Sequence, residues 1–179
     1  MDFTAARGIV EDAVTRRVFP GGVLVVVDES REVLAEAFGS LSWLAPSPKP
    51  VSLDTRYDVA SLTKAVVTTT LAMRLVQAGA LALERPARDW VPELSGPGKE
   101  RILIRHLLSH TSGLPAWRPL FERLLADELA GAGSKREAIL RLAAAEPLER
   151  APGTAAIYSD LGFIVLGAAV ERAGGDRLD

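Results

Sequence analysis

Asp58-Val-Ala-Ser61-Leu-Thr-Lys64, with the apolar-rich continuation Val66, Val67, Leu71, Met73, Leu75 and Val76, is the stretch that decides how this chain is read. It reads as a loop running into a helix. Gly79 sits just past the end, where a glycine lets the chain leave in a left-handed conformation. Ser61 and Lys64 are three residues apart, so on a helix their side chains share a face. A serine is a poor nucleophile until a neighbour takes its proton. A lysine does that only with a lowered pKa, set by burial or by nearby positive potential, and the first turn of a helix supplies such potential. Alone, the four-residue pattern is weak, because serine and lysine are common at exposed helix starts.

The 179 residues suffice for one domain with a sizeable core, and 48% hydrophobic with 25% charged residues is the balance of a soluble globular protein. A net charge of −2 offers no nucleic-acid surface. The absence of cysteine excludes disulfides, thiolate metal sites and a cysteine nucleophile. Met1-Asp-Phe-Thr-Ala-Ala-Arg7 lacks a basic segment followed by an apolar run, so no signal peptide is read and a cytoplasmic location is expected. No apolar stretch is long enough to span a bilayer, so no membrane partner is expected either.

Outward from the Ser61 segment, Phe3 to Val18 reads as an amphipathic helix with Ile9, Val10, Ala13 and Val14 on one side. Val23 to Val27 is a continuous β-branched run, expected as a buried strand, with Glu32 to Gly39 returning after a turn at Asp28 to Arg31. Trp43 to Pro50 is a loop. Further on, Ile102 to Ser109 reads as a short helix ending in His110-Thr-Ser-Gly-Leu-Pro115. Pro119 to Ala130 and Lys135 to Ala145 read as two helices separated by Gly131-Ala-Gly133. Pro152-Gly-Thr154 is a turn, Tyr158-Ser-Asp160 precedes an apolar helix from Leu161 to Arg172, and Gly174-Gly175 closes it.

Three further residues invite chemistry. His106 and His110 have the i, i+4 spacing of a zinc-binding helix, but the glutamate of the H-E-x-x-H pattern is Leu107 here and no third ligand is near, so no metal is expected. A Ser61–His110–Asp triad is open to sequence reasoning, yet Lys64 makes a histidine unnecessary, and a structural role for His110 is the preferred reading. Tyr158 reads either as a buried aromatic before a cap at Ser159 or Asp160, or as a phenol near the serine whose pKa a lysine cation lowers.

Four segments in one order carry a resemblance: Ser61-Leu-Thr-Lys64, Leu107-Leu-Ser-His-Thr-Ser-Gly-Leu-Pro115, Pro152-Gly-Thr154 and Tyr158-Ser-Asp160-Leu-Gly-Phe163. Together they resemble the serine β-lactamase-like hydrolases of the class C β-lactamase and penicillin-binding-protein group, with family VIII esterases and D-amino-acid-specific peptidases. Pro20-Gly-Gly22 and Leu75-Val-Gln-Ala-Gly79 agree, and the likeness runs from about Phe19 to the end. The resemblance implies an α/β (α+β) β-lactamase/transpeptidase-like fold, with Ser61 as the acylated nucleophile and Lys64 as its activating partner. Tyr158 is then the proton shuttle that later activates water, and the Ser61 N–H is one oxyanion donor. Asp160 falls at a substrate-binding position where relatives often carry Asn. Its charge weakens the inference to β-lactam turnover and places it to pair with Lys64. No cofactor is implied, and the substrate classes are small esters, amides, β-lactams and D-peptides.

The resemblance also implies a third motif, Lys-Thr-Gly or His-x-Gly, on a later strand that supplies the second oxyanion donor. None of Lys49, Lys64, Lys99 and Lys135 begins one. The expectation is therefore that residues 1–179 form the N-terminal part of one such hydrolase domain, incomplete in its C-terminal strands. Alone, that part is expected to be weakly active or inactive and prone to association. A non-catalytic binding or regulatory protein on the same scaffold stays open as the other reading, and sequence leaves the oligomeric state undetermined.

Overall fold

The computed structural model describes residues 1–44, 48–125 and 134–178. The chain divides into two units, Met1–Asp58 and Val59–Asp179.

In the first unit, helix α1 (Thr4–Thr15) ends early because Arg17 turns to a positive φ of 58° ahead of Pro20. Val10, Ala13 and Val14 are half-buried as the periodicity requires, but Ile9 is 71% exposed. Strands β1 (Gly21–Asp28) and β2 (Arg31–Gly39) form an antiparallel hairpin. Glu29 and Ser30 both take positive φ, the backbone of a tight hairpin turn whose twist suits the strands. Arg7 on α1 clamps Glu36 on β2 with two donors, at 2.8 Å from Nε and 2.5 Å from Nη2. The expected buried strand is corrected here. Val25 is 49% and Val27 60% exposed, because β1 pairs with β2 alone among the described residues and its outer side chains have nothing over them.

The second unit is helical and holds the core. The Ser61 segment is not a regular helix from its start. It enters through tight i→i+3 bonds, passes through a π-helical turn (Lys64–Thr69) and becomes regular only in α2 (Thr70–Gln77). The Thr70 hydroxyl, donating to Ala65 O at 3.3 Å, helps hold the wide turn. Such turns recur at functional sites because they re-aim side chains without ending the helix. Gly79 leaves at φ +73°, as its position after the helix predicts.

A 3₁₀ turn at Lys99–Arg101 and the short α3 (Ile104–Leu108) replace the expected continuous helix from Ile102, which is itself extended. Helix α4 (Leu120–Leu125) and α5 (Lys135–Ala145) follow; the rest of the expected Pro119–Ala130 helix and Gly131–Gly133 lie outside the described residues. Ser134 and Glu137 exchange a reciprocal capping box at the start of α5. Helix α6 (Asp160–Gly174) runs through the centre, burying Leu161, Phe163, Val165, Leu166, Ala169 and Val170. Around it lie Ala72, Leu81, Val91, Leu94, Ile102, Ile104, Leu107 and Leu114, all at most 2% exposed. That packing fixes the N-terminus of α6 beside the Ser61 turn.

Candidate active site

Ser61 sits on the tight entry turn. Leu62, Thr63 and Lys64 N–H donate back to Val59, Ala60 and Ser61 carbonyls at 2.9, 3.1 and 3.1 Å. Ala60, immediately before, is held at φ +44°, a left-handed conformation that a residue with a Cβ adopts at a cost of about 1–3 kcal/mol. The turn leaves Ser61 exposed, and Lys64, the first residue of the π-helical turn, folds its Nζ back to donate to Ser61 Oγ at 3.2 Å.

Tyr158 and Asp160 reach the same place through a zipper between two loops distant in sequence. Ile157 N–H donates to His110 O at 2.9 Å, and Ser159 N–H donates to His110 Nδ1 at 3.0 Å. Ser159 Oγ donates to Pro115 O at 2.6 Å while accepting from Gly162 N–H at 2.9 Å, so the N-cap of α6 is also a tie to the other loop. Asp160 N–H closes the zipper on Ala116 O at 2.8 Å. Gly113 is needed at the bend: its φ is +80°, and a Cβ there would lie 2.1 Å from Arg150 O.

The zipper brings the Tyr158 side chain beside Lys64 and Ser61, near enough for both to act on its phenol. It also sets the Asp160 carboxylate 2.8 Å from Lys64 Nζ. The ammonium lies 5.1 Å from the Tyr158 ring centroid and 5.7 Å from that of Phe163. All four sequence-predicted site residues thus meet. A shallow depression of about 330 Å3 borders them, lined by Ala60, Thr63, Lys64, Thr68, Asp160, Phe163 and Ile164.

Electrostatics set the charge balance at Lys64. Burial pulls the Lys64 pKa down, but the Asp160 carboxylate and the Tyr158 hydroxyl together outweigh it, and the lysine is raised above its ordinary value. Lys64 is therefore an ammonium in this arrangement and not a free base. The reason is Asp160, delivered by α6 from far along the chain. Tyr158 moves the other way: hydrogen bonds from Ser61 and Lys64 hold its phenol below the usual value, against burial and the Asp160 charge.

His110 builds no serine–histidine relay. Its Nδ1 is taken by Ser159 N–H, and its ring lies between Tyr158 and Phe163 at centroid distances of 4.5 and 4.8 Å. His106 is buried with Nδ1 accepting from Leu103 N–H at 3.2 Å. Among the described residues no three acidic, histidine or cysteine side chains gather as metal ligands, and no helix is long and apolar enough to cross a membrane. Phe163, which seats both His110 and the lysine cation, escaped sequence reasoning. It is one apolar residue in an apolar helix, and nothing local distinguishes it.

The chain belongs to the beta-lactamase family, whose profile matches residues 6–179. It is 34% identical over 180 residues to the esterase EstB of Burkholderia gladioli, covering 95% of this chain and 45% of that protein. It is 32% identical over 174 residues to an N-acetylmuramyl-L-alanine amidase of Bacillus subtilis, covering 90% of this chain and 38% of that protein. The solved structure of EstCE1, described as a hydrolase with promiscuous acyltransferase activity, superposes with a TM-score of 0.77 at 30% identity. That likeness covers 96% of this chain and 47% of EstCE1. The architecture is accordingly the β-lactamase/transpeptidase-like fold, and the chain spans less than half the length of these relatives.

Proposed function

We propose that the protein is a serine hydrolase that works through an acyl-enzyme on Ser61. The observation that carries this reading is Lys64 Nζ, 3.2 Å from Ser61 Oγ and 5.1 Å from the centroid of the Tyr158 ring. In it, Tyr158 takes the Ser61 proton, its phenolate stabilised by Lys64, and Ser61 Oγ attacks the substrate carbonyl carbon. Tyr158 then passes that proton to the leaving alcohol or amine as the bond to it breaks. Water, deprotonated by the phenolate left on Tyr158, attacks the acyl carbonyl, and Tyr158 returns that proton to Ser61 Oγ as the ester bond breaks and the acid leaves. Lys64 holds the proton balance instead of acting as the first base. The Ser61 N–H is one oxyanion donor, worth about 3 kcal/mol to the transition state.

Small esters, amides, β-lactams and D-peptides are the candidate substrates, and likeness to a protein named as an esterase supports esters first. One oxyanion donor is assigned, and labelling of the nucleophile can be read without turnover. The deciding experiment therefore reads a single covalent event: intact mass after a fluorophosphonate and, separately, a penicillin, with Ser61→Ala as control. One fluorophosphonate adduct, absent from the control, is the expected result, and the penicillin arm sorts β-lactams in or out. No fluorophosphonate adduct, or one that survives in Ser61→Ala, overturns the reading in favour of a binding scaffold.

A further inference from the structure

His110 touches the residues on both sides of Tyr158 and Tyr158 itself. Its carbonyl accepts from Ile157 N–H at 2.9 Å and its Nδ1 accepts from Ser159 N–H at 3.0 Å. Its ring lies 4.5 Å from the Tyr158 ring and 4.8 Å from that of Phe163, which backs it from α6. A backbone N–H can only donate, so Nδ1 carries no proton and the ring is the neutral Nε2–H tautomer. To offer carbonyl and ring together, His110 adopts φ +56°, an uncommon conformation for a residue with a side chain, though Asn, Asp and His enter it most readily. Tyr158 is otherwise poorly held, with 52% of its surface exposed.

We propose that His110 is the positioning residue of Tyr158: it fixes the phenol against Ser61 and Lys64 by clamping the chain on either side and stacking on the ring. This rests on the reading of Ser61 as nucleophile, and it assigns to a loop histidine a task that its lack of contact with the serine conceals. A proton on Nδ1 would turn the acceptor into a donor facing another donor. Burial, then the Lys64 charge, hold the imidazole below its ordinary pKa against the pull of Asp160, which keeps the clamp closed. Lys64 from the π-helical turn, Asp160 from α6 and Tyr158 itself are the ionisable groups facing it.

The test uses two readouts on the whole chain. The first is the ultraviolet titration of Tyr158, with Tyr158→Phe subtracted to remove the contribution of Tyr57. The second is the rate of Ser61 phosphonylation. In His110→Ala the phenol is expected to titrate at its ordinary, higher value, and the labelling rate to fall about a hundredfold, the scale set by misplacing a reacting group by about 1 Å. His110→Asn keeps an acceptor and tolerates the left-handed backbone, so it recovers to within about tenfold of wild type and returns part of the titration shift. Unchanged titration and labelling in folded His110→Ala, or no recovery in His110→Asn, overturns the proposal. Should the alanine variant fail to fold, an unchanged Tyr158 titration in His110→Asn overturns it equally, since the ring stack is gone there. A wild-type chain that takes no adduct refutes the nucleophile reading instead, while the phenol titration still judges His110.

Discussion

Asp160→Asn removes one charge from the site without shortening the side chain. Lys64 Nζ and Asp160 Oδ1 are 2.8 Å apart, with the two side chains 20% and 43% exposed. At that separation unit charges attract by about 1.5 kcal/mol even with the dielectric of water. Screening and side-chain entropy at a half-exposed carboxylate bring the working figure to about 1 kcal/mol, or about fivefold in an equilibrium constant. The sign follows from the shifts. Lys64 is raised by Asp160 and Tyr158 against burial, so losing the carboxylate makes the ammonium easier to deprotonate. Tyr158, lowered by Ser61 and Lys64, is pushed back up in part by Asp160, so it too loses its proton more easily. Phosphonylation of Ser61 needs a deprotonated phenol beside a protonated lysine, which makes the rate rise and then fall with pH. In Asp160→Asn both limbs move to lower pH. At a fixed alkaline pH beyond the second limb, the variant keeps about one-fifth of the wild-type rate. The assay is the labelling rate from neutral to strongly alkaline pH by intact mass, with circular dichroism at each point. The Lys64 pair stabilises the fold below the ordinary lysine value of 10.5, and that contribution is lost as pH rises through the higher folded value. An alkaline limb that stays in place, or moves up, would refute the assignment of Lys64 as the ammonium partner.

Four other outcomes follow from the same geometry. Tyr158→Phe should lower the Ser61 labelling rate by about 10²-fold or more, the range for a lost acid–base group, while thermal unfolding barely moves because the side chain is half exposed. Gly113→Ala forces a Cβ to 2.1 Å from Arg150 O at φ +80°, so urea denaturation should show a loss of about 2–3 kcal/mol or no folded protein at all; a loss within experimental error would count against the zipper. His110 has a folded pKa below its ordinary 6.5, so the stability it contributes is full above that value and is lost as pH falls through the lower folded one. Stability curves of His110→Asn should accordingly lose less on acidification than wild type, with His106, also lowered by burial, supplying the remainder. Replacing the exposed Val25 and Val27 together by threonine should reduce concentration-dependent association in size-exclusion chromatography, and a wild-type chain that runs monodisperse at all concentrations would remove the premise.

What the sequence reveals and what it hides divide along physical lines. Ser61 with Lys64, the left-handed exit at Gly79, the Ser159 cap and the span of α5 are local: they depend on spacings of a few residues and on capping chemistry that any window of the chain displays. The π-helical turn was not readable, because Lys64-Ala-Val-Val-Thr-Thr69 has no residue that announces a wide turn; the tertiary fit of α2 against α6 selects it. Exposure of Val25 was likewise not readable from β-branched composition, since burial depends on what lies over the strand.

The charge balance at Lys64 shows how distant segments enter a local motif. Position in a first helical turn argues for a lowered pKa, and burial acts in that direction, yet a carboxylate from α6, carried there by a zipper from His110 to Ala116, reverses the sum. A motif can therefore name the candidate residues without assigning the proton among them. That assignment belongs to the contacts between motifs. Here the contact is the pair of loops joined at His110 and Ser159, which delivers the phenol and the carboxylate to the serine together. The same joint gives the Leu107 to Pro115 segment its place in the site, since His110 and Pro115 accept from Ile157 and Ser159 on either side of Tyr158. Leu107, Ser112 and Leu114 bury, and the backbone of the segment accepts from the residues that flank Tyr158.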